Sequence, residues 1–396
     1  MIDLSFISIP IIVIVNAYCF LWVFLSIVYL TRKAEVDDPL LQDHFVSVIL
    51  PARDEERVIQ NIIADLKAQT YKKLEIIVLA HNCKDKTYEK ALETAKSVEV
   101  PVKVYKLTTS EVGKGIGLQY GLEKSKGDLI IYFDSDSVVP SIYIEGLIGW
   151  IERGYDAVQG NIVGSNPRYN RLTFLQHLEN LIFMRIFWGG KHRLGLPAGL
   201  GGTGVMVKRE VLDAVGGYQN VLIEDFDLFM RLNLGGFKVA YAENCFIYDE
   251  KVPSWRKLIR QRSRWMAGHF QLIKRYPIKT HLKLFLKNPI DFLQLFSPIF
   301  LLSLLIVTLL GFFRLFLPIT YWETPLIIWL ILTLFMNFLF AMVLKRQRIG
   351  FRQSCKYLPV LYLFCLHWYA AFVKSFFING WSDTKTEHGL IGVPKT

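Results

Sequence analysis

The chain has 396 residues, 46 Lys and Arg against 35 Asp and Glu, and 52% hydrophobic side chains. A mean hydropathy of +0.30 with 20% charged residues excludes a disordered or wholly water-exposed chain and requires that part of it meets lipid. The net charge of +11 gathers at the ends of apolar segments and in residues 256–264, which suits anionic headgroups and a phosphorylated ligand; nucleic acid is not an expected partner.

In chain order, residues 7–30 are almost uncharged and are followed at once by Arg32-Lys33. With no basic leader and no small-residue cleavage site, residues 1–33 read as an uncleaved anchor whose C-terminal end is cytoplasmic. The five cysteines, Cys19, Cys83, Cys245, Cys355 and Cys365, form no CxxC pair and no metal-ligand spacing, so free thiols are expected.

From residue 34 to 251 the texture is that of a soluble α/β domain. Residues 45–51 predict a strand closed by Pro51, and Ala52-Arg53-Asp54-Glu55-Glu56 opens a helical pattern with acids in its first turn. Strands follow at 74–80, 102–107 and 128–133, with helices after 87 and over 114–125. Alternation of this kind means a mainly parallel sheet with helices on both faces, in the manner of a nucleotide-binding unit. The second half is less regular, with strands at 157–163, 204–207 and 238–242, a helix over 171–188 and another from 222. Residues 252–287 read as amphipathic helices of the membrane interface, of which 253–276 is basic and aromatic. Residues 288–396 hold further apolar stretches at 292–313, 326–344 and 357–373, the last interrupted by Pro359 and His367 and read as re-entrant or interfacial. Basic residues 345–352 mark a loop on the cytoplasmic side, and the nearly uncharged segment 320–323 reads as external.

The chemistry centres on Asp134-Ser135-Asp136, which ends an apolar strand at the edge where parallel sheets bind ligands. Carboxylates at i and i+2 in such a loop can share one hard divalent cation, although an acidic turn gives the same pattern. Gly113-Lys114-Gly115 before a helix lacks the GxxxxGK[ST] spacing of a phosphate loop; it is either a diphosphate contact or a plain helix start. Residues 199–204 are dense in glycine, either to wall a pocket or to bend the chain. Glu224-Asp225 at a helix start has a capping explanation as well as a catalytic one. Gln261, Arg264 and Trp265 share a helix face at i, i+3 and i+4, presenting an amide, a phosphate-binding fork and a flat ring.

Taken in order, the segment at 46–56, Asn82-Cys83-Lys84-Asp85-x-Thr87, Gly113-Lys114-Gly115, Asp134-Ser135-Asp136, Gly201-Gly202-Thr203-Gly204, Glu224-Asp225-x-Asp227 and Gln261-Arg262-x-Arg264-Trp265 resemble the family 2 glycosyltransferases. The resemblance is to the membrane-integrated branch of poly-N-acetylglucosamine, hyaluronan and cellulose synthases, and extends to Trp381-Ser382-x-Thr384-x-Thr386-Glu387-His388-Gly389, where His388 replaces the usual arginine. It implies a GT-A, Rossmann-like domain inserted between transmembrane helices of an integral cell-membrane protein, with the catalytic domain in the cytoplasm. By the resemblance, Asp136 and Asp134 hold Mn2+ or Mg2+, and Asp54, Glu55, Asp85, Lys114, Asp134 and Arg264 bind the nucleotide-sugar donor, expected to be a UDP-sugar. Ala80-His81 stands where relatives carry paired acids. Asp225 is implied as the catalytic base, with Gly202, Thr203, Glu224, Gln261 and Trp265 on the acceptor side. The expected activity is inverting transfer to a growing polysaccharide, the alternative being one sugar placed on a lipid. A diphosphate leaving group needs no protonation, so one catalytic carboxylate suffices, unlike the pair of a glycoside hydrolase.

Overall fold

The computed structural model describes residues 5–33, 43–96, 100–299, 301–303, 323–378 and 380–381. Apolar runs rich in Val, Ile and Leu form the strands of one sheet: β1 (Val46–Ala52), β2 (Leu74–His81), β3 (Val102–Leu107), β4 (Leu129–Tyr132), β5 (Ala157–Gly164), β6 (Val205–Lys208) and β7 (Val239–Asp249). Their order is β3-β2-β1-β4-β6-β5-β7. β1 pairs in parallel with β2 and β4, whereas β6 runs antiparallel to β4 and β5. The sheet is thus mainly parallel, as the sequence predicts, with β6 running antiparallel between β4 and β5.

Both faces of β1 are covered. Val46, Val48 and Leu50 enter one apolar layer with α2 (Ile59–Lys67) and α5 (Tyr143–Glu152). Ile49 points the other way, toward α4 (Lys114–Lys124) and α9 (Glu224–Gly235). This period-two split is what a strand buried on both sides dictates. Between these elements lie α3 (Thr87–Thr94), α6 (Arg171–Ile182), α7 (Gly189–Arg193) and α8 (Arg209–Ala214). The predicted helix at 52–56 is absent: β1 runs through Ala52, Asp54 takes φ 51°, and the helix begins only at Ile59. The predicted helix over 171–188 is α6 followed by a π turn at Phe183–Trp188, where Phe183 and Phe187 pack on Trp22 of α1 (Ser5–Thr31).

Among the described residues, three helices are long and apolar enough to cross a membrane: Val13–Thr31, Ile327–Arg346 and Phe351–Ser375. The second lies in α13 (Glu323–Arg346), whose C-terminal Arg346 donates to the Tyr29 and Leu30 carbonyls at 3.1 and 2.5 Å. α1 and α13 thus end at the same level and run parallel. The third is broken at Leu366 into α14 (Phe351–Cys365) and α15 (His367–Ser375), in agreement with an interrupted segment. The span expected at 292–313 and the external loop at 320–323 lie largely outside the described residues, as does the motif beyond Trp381. None of the five cysteines, all of them among the described residues, is in a disulfide.

α10 (Trp255–Arg275) is started by a Ser254 cap. Trp265 and Phe270 pack on Trp368 and Phe372 of α15, at 6.3 and 5.9 Å between ring centroids. Helix α15 thus covers part of the aromatic face of α10. The chain continues through α11 (Ile278–Lys287) and α12 (Pro289–Leu295).

Candidate active site

The C-terminal edge of β4 and the N-terminus of α9 converge on Gly202. Lys114, the first residue of α4, reaches Asp134 at 2.7 Å and Glu224 at 3.2 Å, and donates to the Gly202 carbonyl. A Cβ placed on Gly202 would sit 3.3 Å from Asp134 Oδ2, 3.4 Å from Lys114 Nζ and 3.8 Å from Asp225 Oδ2. Only hydrogen at this position lets backbone and three charged groups approach one point. Thr203 accepts the Asp134 N–H at 3.0 Å and bonds Ser137 Oγ at 2.7 Å, so it fixes the acidic loop from below. Gln159 bonds Gly201 N–H at 2.6 Å and the Thr203 carbonyl at 3.1 Å, holding the glycine segment in place.

The glycines flanking Lys114 serve packing. A Cβ at Gly113 would lie 1.8 Å from Asn220 Oδ1, and one at Gly115 would lie 2.1 Å from the Gln219 carbonyl. The space that a diphosphate would need beside them is filled by the 219–220 turn. Lys114 is the part of that motif that reaches the site.

Electrostatics single out Asp225. Burial raises its pKa, Glu224 beside it raises it further, and Lys114, the Phe226 N–H and Arg264 pull it back only part of the way, leaving it at about 7. Asp134 is also raised, first by burial and, against Lys114, by the like charge of Asp136. Burial alone would lower Lys114, yet Asp134 and Glu224 hold it above its ordinary value. Arg264 is lowered by burial despite Glu224, Asp225 and Asp134, and it donates to the Leu222 carbonyl at 2.8 Å. Four carboxylates, Asp134, Asp136, Glu224 and Asp225, thus surround two cations, Lys114 and Arg264. A divalent ion would balance this set, and the hard oxygen donors of Asp134 and Asp136 are of the kind such an ion takes.

The remaining expected residues divide. Glu224 is buried against Lys114. Arg264 joins the cluster of Asp134, Glu224 and Asp225, whereas Trp265 turns to Arg262, whose guanidinium lies 4.0 Å from its ring and 4.9 Å from Trp368 while donating to Glu179 at 2.8 Å. Gln261 is half-buried a turn earlier. Asp54, Cys83 and Asp85 sit within 4.8 Å of one another. Asp85 is engaged by the Glu56 and Thr87 N–H groups at 3.1 and 3.0 Å, and Asp54 by Lys84 N–H at 2.5 Å. These acids tie the loop after β1 to the loop after β2, with Glu55 N–H on Thr87 Oγ1 at 2.7 Å. His81 bonds Thr109 Oγ1 at 2.8 Å, and burial and Arg53 keep its pKa low.

One contact, from Tyr132, had no clear sequence signal, and a second comes from Trp381 of the C-terminal motif. Tyr132 places its ring under Lys114, 5.4 Å from the ammonium, and its hydroxyl on the Gly201 carbonyl at 3.2 Å. Trp381 covers Arg264 at 4.2 Å and donates to the Val221 carbonyl at 3.3 Å. The segment after α15 therefore comes back to the site.

Residues 43–268 match the family model described as glycosyltransferase like family 2. The chain is 28% identical over 234 residues to a beta-monoglucosyldiacylglycerol synthase of Trichormus variabilis, covering 57% of this chain and 49% of that protein. It is 22% identical over 255 residues to a poly-beta-1,6-N-acetyl-D-glucosamine synthase of Staphylococcus aureus, covering 62% and 59%. These matches thus span about half the length of the curated relatives. Among solved structures, a mannosyltransferase from Pyrobaculum calidifontis, in complex with GDP-Man and Mn2+, shares the fold over 96% of this chain and 99% of its own, with a TM-score of 0.63 and 17% identity.

Proposed function

The chain belongs to the family 2 glycosyltransferases, and from that premise we propose that it transfers one sugar, with inversion, from a nucleoside-diphosphate donor to a hydroxyl of a membrane-resident lipid. The buried cluster of Lys114, Asp134, Glu224, Asp225 and Arg264 around Gly202 carries the reading. A carboxylate with a pKa of about 7 is poised to take a proton at neutral pH, and Asp225 is the one so tuned. It would remove the acceptor hydroxyl proton as that oxygen bonds to the anomeric carbon from the face opposite the diphosphate. The bond from that carbon to the phosphate oxygen breaks, and the electron pair leaves with the nucleoside diphosphate. Lys114 and Arg264 face the charge that develops there. Asp134 and Asp136 would hold Mn2+ or Mg2+, which when bound neutralises diphosphate charge. The loops joined by Asp54 and Asp85, with Glu55 between them, would form the nucleoside end.

Three observations favour a lipid acceptor. Three helices suit a membrane by length and composition among the described residues. One face of the Trp265 ring is covered by Arg262 and thereby closed to a sugar. The match to a protein named for glucosyl transfer to diacylglycerol is closer than the match to the polysaccharide synthase. The second reading, a polysaccharide synthase, draws on the Gln261-to-Trp265 motif and on that second relative. Purified protein offered a panel of nucleotide sugars with Mn2+ or Mg2+ in lipid should yield one labelled glycolipid. A long polymer would overturn the lipid reading, and no transfer from any donor would overturn both.

A further inference from the structure

α7, α9 and α12 meet at one ion pair that is shut off from solvent. Lys191 of α7 and Asp291 of α12 are both 0% exposed, and the Lys191 ammonium donates to Asp291 Oδ1 and, at 2.5 Å, to the Ala198 carbonyl. Asp291 Oδ2 accepts the side-chain amides of Asn233 on α9 at 2.6 Å and of Asn288, the cap of α12, at 2.5 Å. The rings of Phe229 and Phe187 flank the ammonium, with centroids 4.8 and 5.5 Å away. Neither charge has a part in the proposed transfer.

Stability alone is a poor reason for such a pair. Taking two charges out of water costs about as much as their attraction returns, and apolar side chains of like volume pack as well. What the pair does supply is a single permitted arrangement of its neighbours, because a buried hydrogen bond left unmade is costly. That arrangement concerns two walls of the candidate site. Ala198 opens the segment 199–204, whose glycines at 199, 201, 202 and 204 give it little stiffness of its own and whose Gly202 carbonyl takes the Lys114 ammonium. The Ala198 N–H is itself on the Val239 carbonyl of β7 at 3.0 Å, so the sheet is joined as well. Asn233 follows Asp225 by about two turns of the same helix. One carboxylate therefore holds the start of the glycine segment, through Lys191, and the body of α9, through Asn233.

We propose that Lys191, Asp291 and Asn233 are positioning residues of the active site: their buried joint sets the separation between the Gly202 segment and α9, and so the place of Asp225 relative to Lys114 and the donor diphosphate. The catalytic consequence rests on the proposed transferase reading, whereas the link between the two segments does not.

The test cuts each arm of the joint in the full chain, held in lipid nanodiscs. Lys191→Met with Asp291→Asn removes both charges together, nearly keeps the side-chain volumes and leaves an oxygen at 291 for the two amides, so it frees the Ala198 arm. Asn233→Ala frees the α9 arm. In amide hydrogen exchange, the first variant should speed residues 199–204 and the second the opening turns of α9, each by about tenfold or more, with β1 unchanged in both. In transfer, kcat should fall about tenfold or more in the double variant and about threefold in Asn233→Ala, while donor KM and donor affinity by calorimetry stay within about threefold. Unchanged exchange in both segments would overturn the proposal, and so would a lowered thermal midpoint with kcat intact well below it, which is the behaviour of a merely structural contact. If the double variant does not fold, Asn233→Ala decides alone by the same two readouts. Faster exchange in both segments, in a protein whose unaltered chain transfers no sugar from any donor, would sink the transferase reading and keep the joint.

Discussion

At the scale of single residues, the ionisation of Asp225 gives the most direct tests. Its pKa is raised, so the folded protein holds a proton on it between the ordinary carboxylate range and about 7. A general base works only when ionised. The free-enzyme profile of kcat/KM should therefore climb as pH rises and level off above about 7, giving an acid limb centred near neutrality. Stability runs the other way. Because the folded state binds more protons than the unfolded state in that window, the Asp225 contribution falls as pH rises from about 4 to about 7. A limb centred near pH 4 in a pH-rate series would show that Asp225 is not the base. Asp225→Asn should lower transfer by about 10²- to 10⁴-fold while donor affinity by calorimetry stays within a few fold. Gly202→Ala tests the crowding itself. Its new Cβ would stand 3.3 Å from Asp134 Oδ2 and 3.4 Å from Lys114 Nζ, tighter than ordinary contact. Transfer should fall at least tenfold with an unchanged thermal midpoint, since the strain falls on charged groups that can shift.

Secondary elements are held in register by a few close approaches. α10 crosses the segment before α9 at Gly268, where a Cβ would lie 2.6 Å from Ile223 Cγ2. Gly268→Val should cost roughly 1–3 kcal/mol by overpacking and push Ile223, and with it Glu224 and Asp225, away from Lys114. The readouts are a lower thermal midpoint together with a kcat loss larger than Gly268→Ala produces. Asp227, fully buried on α9, takes the Tyr276 hydroxyl at 2.6 Å and Arg231 Nε at 2.9 Å, fastening the same helix start to the end of α10. Elements of this kind were legible in the sequence wherever local pattern decides: β3 and the start of α4 fall at the predicted residues, because a short run of β-branched and aromatic residues spaced by lysines and a glycine preceding a helix are local signals. The failures were decided by distant partners. Acids at 54–56 looked like a helix start, but they are used to dock the loops after β1 and β2, and Asp54 adopts a left-handed backbone to do so. Gly113 and Gly115 looked like phosphate contacts because their clash partners, Asn220 and Gln219, lie about a hundred residues away in the chain. The cluster of Lys114, Asp134, Asp225 and Arg264 was legible as an ordered set of motifs, whereas the turn of Trp265 toward α15 depends on packing that no local pattern encodes.

For the molecule as a whole, the path of the chain through the membrane decides which groups can meet the donor. α1 and α13 end together, with Arg346 on the Tyr29 and Leu30 carbonyls, and the sheet domain begins just past that end of α1. The pair α14 and α15 then leaves from the same end as Arg346, and Trp381 returns to cover Arg264. A helix that crossed the bilayer once between Phe351 and Ser375 would put Trp381 and Arg264 on opposite sides, which a ring-to-guanidinium distance of 4.2 Å forbids. The break at Leu366 and the internal Pro359 suit a helix pair that enters or lies along the bilayer and comes back, and we propose that arrangement. Gly380 offers a probe, since a side chain there meets no atom within 4 Å. In a Cys355→Ser chain, Gly380→Cys should react with a membrane-impermeant maleimide from the same side as Lys84→Cys, an exposed position on the sheet domain. Labelling of the two cysteines from opposite sides of sealed vesicles would mean that α14 and α15 together span the membrane. Trp381→Ala should in turn raise the donor KM with a smaller change in kcat, because Arg264 would lose the ring that holds its guanidinium beside Asp225.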